Sequence, residues 1–121
     1  MKRRISERDG MEAIRAYVRG NELSAATRTL ATRFALEEFA SRHPGKSVEI
    51  RIPWVGAVQA VAGPVHTRGT PANVVEMDAE TWLALVTGKP TDGQITMSGT
   101  RADLSGYLPL FGPVSELPSE E

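Results

Sequence analysis

The hydrophobic spacing of this chain first changes period at His43-Pro44-Gly45, and that switch restricts the fold more than any motif. Before it, apolar residues recur every three or four positions, the spacing of a helix with one buried face. After it they alternate, the spacing of a strand with one buried face. Helices followed by strands in one short chain point to an α+β fold.

Met11, Ile14, Tyr17 and Val18 predict a first helix, with Asp9-Gly10-Met11-Glu12 as its capping box and Gly20 as its stop. Asn21 or Ser24 can cap a second helix. There Leu30, Phe34, Ala35 and Phe39 form a broad apolar sector, and Arg28, Arg33, Glu37 and Arg42 surround the rest. Glu37-Glu38 reads as a solvated face. Pro44 ends this helix, because the residue before a proline is pushed out of the helical region.

Val48, Ile50 and Ile52 alternate with Glu49 and Arg51, and after Pro53-Trp54-Val55-Gly56 an apolar run resumes from Ala57 to Ala62. Two strands so close in sequence pair antiparallel. A loop dense in turn formers, Gly63 to Pro71, leads to a third strand over Asn73–Asp78 with Val75 and Met77 on one face. Asp78 caps a helix over Ala79–Thr87 that Gly88 closes, and Trp82, Leu85 and Val86 share one side of it. Gln94 to Ser98 reads as a last strand with Ile95 and Met97 on one side. Arg101 to Leu108 can add a final helical turn or two.

At 121 residues the chain is sized for one domain. The expected organisation is a basic flexible N-terminus over 1–8, a single domain over 9–111 and a disordered acidic tail over 112–121. Residues 1–46 carry ten basic and six acidic side chains, +4, and residues 47–121 carry four and nine, −5. The basic half either meets anionic headgroups or an acidic partner, or forms a solvated surface paired with the acidic half. A net charge of −1 argues against nucleic acid as a partner. The longest uncharged stretch, Ile52 to Thr67, holds two prolines and two glycines and does not read as a membrane span. Cysteine is absent, which excludes disulfides, thiolate catalysis and sulfur-ligated metals and fits a cytoplasmic setting.

Groups for catalysis are few. No nucleophile elbow, phosphate-cradling loop or dinucleotide fingerprint is present, and the expectation is no enzyme activity, no metal and no cofactor. His43 sits at a helix end, where an imidazole interacts with the last carbonyls. His66 and Arg68 either grip an anionic group at a pocket mouth or bond loop carbonyls that no ladder satisfies.

From Asn73 onward the chain resembles the sterol-carrier-protein-like domains. The resemblance lies in Asn73-Val-Val-Glu-Met-Asp-Ala-Glu-Thr-Trp-Leu-Ala-Leu-Val-Thr-Gly88-Lys89, then Ile95-Thr-Met-Ser-Gly99-Thr-Arg-Ala-Asp-Leu104. Ser47-Val-Glu-Ile-Arg-Ile-Pro-Trp and Gly63-Pro-Val-His-Thr-Arg-Gly-Thr-Pro look like the small stand-alone bacterial orthologues of sterol carrier protein. The match spans roughly residues 10–111. It implies a twisted, mostly antiparallel sheet of about five strands, covered on one face by helices. It further implies a cavity between the layers for a fatty acid or sterol-like guest. The family's short extra helix after Gly-Lys is reduced here to Pro90–Gly93, so the tunnel is shallower, open on one side or collapsed.

The lining candidates are Phe34, Trp54, Val58, Val75, Met77, Trp82, Leu85, Val86, Met97, Leu104, Leu108 and Phe111, with His66 and Arg68 at the mouth. A dry, empty pocket of about 300 Å³ would cost on the order of 7 kcal/mol, so such a pocket is occupied, wet or partly closed. The expected function is a carrier of a small apolar ligand such as a lipid or fatty acid. The alternative is an interaction module whose cavity is filled by its own side chains. The oligomeric state stays open.

Overall fold

The computed structural model describes residues 4–20, 22–64, 73–100 and 102–111. Helix α1 spans Glu7–Val18 and α2 spans Ala25–Arg42. Strands β1 (Val48–Ile52), β2 (Gly56–Ala60) and β3 (Asn73–Glu76) follow, then helix α3 (Ala79–Thr87), the short strand β4 (Thr96–Ser98) and a 3-10 turn at Ser105–Tyr107.

The period switch is where the sequence places it, but α1 starts one turn earlier than expected. Ser6, not Asp9, is the cap: its Oγ accepts from the Asp9 amide at 3.1 Å. Ser6-Glu7-Arg8-Asp9 repeats the same spacing of cap and acid three residues upstream of the expected box. Gly10 therefore lies inside the helix, where it is buried and an added methyl would overlap the Phe34 ring. This glycine lets α1 and α2 cross closely. Ser24 caps α2 through the Thr27 amide, and Asp78 caps α3 through the Thr81 amide at 2.8 Å. Gly88 closes α3 at φ 75°, a left-handed conformation that suits glycine.

The sheet has four strands among the described residues, in the order β2-β1-β3-β4. β1 pairs antiparallel with β2, with Ile50 opposite Val58. β3 runs parallel to β1, with Ile50 opposite Val75, and β4 closes the other edge antiparallel to β3. The sheet is thus mixed, and the five strands that the family resemblance implied are not all present among the described residues. Asn73 anchors the parallel pair, because its main-chain and side-chain amides both donate to the Ser47 carbonyl.

Alternation assigns the two faces. Val48, Ile50, Ile52, Val58, Ala60 and Val75 are buried in the core, whereas Arg51, Gln59 and Glu76 on the opposite face are exposed. The core continues into the helices through Phe34, Phe39, Trp82, Leu83 and Val86. Phe39 and Trp82 meet edge to face at 6.0 Å, and the Trp82 indole Nε1 donates to the Thr32 carbonyl at 3.3 Å. That bond ties α3 to α2 and satisfies the one polar atom of the buried indole.

Candidate functional site

Helix α2 uses two faces, one apolar and one mixed. Ala31, Phe34, Ala35 and Phe39 enter the core. Ala26, Thr29, Leu30, Arg33, Leu36 and Glu37 lie at offsets of 3, 4, 7, 10 and 11 from Ala26, and so form a second stripe along one side. This stripe is one wall of a groove of about 1030 Å³. Val55, Gly56, Ala57 and Val58 form the opposite wall, and Arg4 and Ile5 form the third. Because β2 is an edge strand, the groove opens where the interface between helix layer and sheet reaches the sheet's margin.

The floor is apolar, supplied by Ile5, Leu30, Leu36, Val55 and Val58 from three separate segments. Ala25, Ala26, Gly56 and Ala57 at the rim are exposed, so water enters the groove when no ligand fills it. An open, wettable site avoids the penalty of a dry void.

Its charged groups are arranged in pairs with the backbone. Arg33 donates from Nε to the Val55 carbonyl at 3.2 Å, linking α2 to the β1–β2 turn. Glu37 is only 7% exposed, and its Oε1 accepts from the main-chain amides of Arg4 and Ile5, both at 3.2 Å. A carboxylate buried to this degree needs such donors. The expectation that Glu37 and Glu38 form a solvated face is therefore corrected. Glu37 pins the segment before α1 across the groove, and Glu38 pairs with Arg42 at 2.6 Å.

The structure distributes the candidate lining residues widely. Val58 lines the groove. Phe34, Val75, Met77, Trp82, Val86 and Leu104 belong to the packed core, and Leu85, Leu108 and Phe111 pack against its margin. Phe111 stacks on Phe34 with ring centroids 6.0 Å apart. Met97 stands opposite the buried Val75, on the same face of the sheet, but at the edge strand β4 it is left 57% exposed. Trp54 stands clear of the protein at the β1–β2 turn, next to Val55 of the groove wall. His66 and Arg68 lie outside the described residues. His43 packs its ring against Phe39 and Tyr107, at 5.1 and 4.8 Å, and its carbonyl accepts from the Val61 amide.

Sequence reasoning missed Ile5, Leu30, Leu36, Val55, Arg33 and Glu37 as groove residues. The second stripe on α2 was legible in its spacing. The closure by Arg4 and Ile5 was not, because it depends on a contact 32 residues apart in sequence.

Among the described residues no group of three or more histidines or carboxylates is placed to hold a metal ion, and no helix is long and apolar enough to cross a membrane. A search of curated proteins returned no match. The family model described as bacterial SCP ortholog matches residues 24–110, which takes in α2, the whole sheet and α3 and so most of the groove. The chain belongs to the bacterial SCP ortholog family.

Proposed function

We propose that the protein is a non-enzymatic carrier, working in the cytoplasm, for a small apolar molecule of fatty-acid type, held in the groove between α2, β2 and the segment before α1. The observation that carries this reading is the convergence of Ile5, Leu30, Leu36, Val55 and Val58 on one open space of about 1030 Å³. That volume is at the upper end of ordinary ligand sites, which run from roughly 300 to 1,000 Å³. Membership in the bacterial SCP ortholog family supports the same reading.

The energetics suit reversible loading. Burying about ten methylenes contributes roughly 8 kcal/mol before ordering and association costs. The net affinity is then micromolar at best, since about 8 kcal/mol corresponds to 1 μM. A carrier must release what it binds, and this range permits exchange.

Native mass spectrometry on protein purified without detergent tests the reading. A single added mass that organic extraction removes and lipid analysis identifies is the expected result. Protein that stays at its bare mass after incubation with long-chain fatty acid would count against it.

A further inference from the structure

We propose that the β1–β2 turn is a docking tip for an anionic bilayer surface, with Trp54 as its interfacial anchor and Arg33 as its electrostatic contact. Trp54 is 101% exposed, so its indole gains nothing from packing within the chain. It also occupies a costly conformation. Pro53 precedes it, its φ is 71°, and the Val55 amide closes the turn on the Ile52 carbonyl at 3.0 Å. These are the features of a type II turn, whose third position requires positive φ and ordinarily holds glycine or asparagine. A bulky aromatic held there and projected into solvent is paid for by neither backbone nor core. An amphipathic ring of this kind is at home at the headgroup level of a bilayer.

The charge beside the tip has the matching sign. Arg33 fixes its Nε on the Val55 carbonyl, which holds the exposed residue's guanidinium against the turn that carries Trp54. Arg4 lies on the same groove rim, and Lys2 and Arg3 precede it in sequence. Glu37, the carboxylate that lines the same groove, is buried and committed to the Arg4 and Ile5 amides. Two copies meeting tip to tip would oppose cation to cation, so an anionic surface fits better than a second copy. The tip is continuous with the groove through Val55, so a docked molecule would present its groove to the lipid. The docking surface is nevertheless read from Trp54 and Arg33, and it stands or falls separately from ligand binding.

Vesicle binding provides the test. The chain has two tryptophans, and Trp82 is fully buried, so a change in emission on adding vesicles reports Trp54. Phosphatidylglycerol–phosphatidylcholine vesicles at low salt should shift the emission to the blue and sediment the protein, whereas pure phosphatidylcholine should do so weakly. Raising the salt should reverse the effect. Trp54→Gly, which suits the turn and keeps the fold as read from Trp82 emission, should weaken binding on the order of tenfold. Arg33→Gln should weaken it about fivefold, the contribution of one basic residue near an anionic surface. Wild-type protein that ignores anionic vesicles, or Trp54→Gly protein that binds them equally well, would overturn the proposal. So would a Trp54 shift that follows protein concentration without vesicles, since that result assigns the tip to a second copy.

Discussion

The main-chain amide of Ile5 donates to Glu37 Oε1 at 3.2 Å, joining the segment before α1 to the middle of α2. With the Arg4 amide on the same oxygen, this carboxylate holds one wall of the groove in place. Glu37→Ala leaves two amides without their acceptor and should cost about 1–3 kcal/mol. Glu37→Gln keeps an acceptor oxygen at that position and should lose less. Hydrogen exchange at the Arg4 and Ile5 amides reads this directly: strong acceleration in the alanine variant, a small change in the glutamine variant.

Gly10 sits inside α1 against the Phe34 ring. On an exposed helix Gly→Ala is favourable by about 1 kcal/mol. Here the added methyl forces α1 and α2 apart, and overpacking of this kind costs typically about 1–3 kcal/mol. Gly10→Ala should therefore lower the thermal midpoint, and Gly10→Ala combined with Phe34→Leu should recover part of the loss. A stabilised single variant would contradict the close crossing.

Asp78 caps α3, and the hydrogen bonds to its carboxylate from Thr81, side chain first and then main chain, lower its pKa below the ordinary value. A depressed folded-state pKa means that the stabilisation is complete above the unfolded value, about 3.9, and is lost as pH falls through the folded value. Asp78→Ala should cost about 1 kcal/mol at neutral pH, the usual worth of a cap, and the difference from wild type should shrink below pH 4. Asp78→Asn should keep most of the neutral-pH stability and flatten the acid limb. Denaturant titrations between pH 7 and pH 2.5 measure both.

What the sequence made legible follows the range of the interactions. Val48, Ile50 and Ile52 lie on the buried face because alternation is local, and Asp78 and Gly88 bound α3 because caps are local. The antiparallel β1–β2 pair follows from the short connection. The parallel pairing of β1 with β3 does not, because its register depends on Asn73 reaching Ser47 across 26 positions. Glu37 looked solvated because the periodicity of α2 records its own faces and not the segment folded over them. Phe34 and Trp82 were recognised as large apolar side chains between the layers. Composition alone could not separate residues that fill the core from residues such as Leu30 and Val55 that border an open space.

Ala26 is exposed at the groove rim on α2, where a large side chain enters the groove without disturbing the core. Titration of a fluorescent long-chain fatty acid into wild-type and Ala26→Trp protein tests the central claim most directly. The account predicts one saturable micromolar site per chain in wild type and at least about tenfold weaker binding in the variant, with the thermal midpoint of the empty protein little changed. No saturable binding at tens of micromolar, or equal affinity in the two proteins, would contradict it.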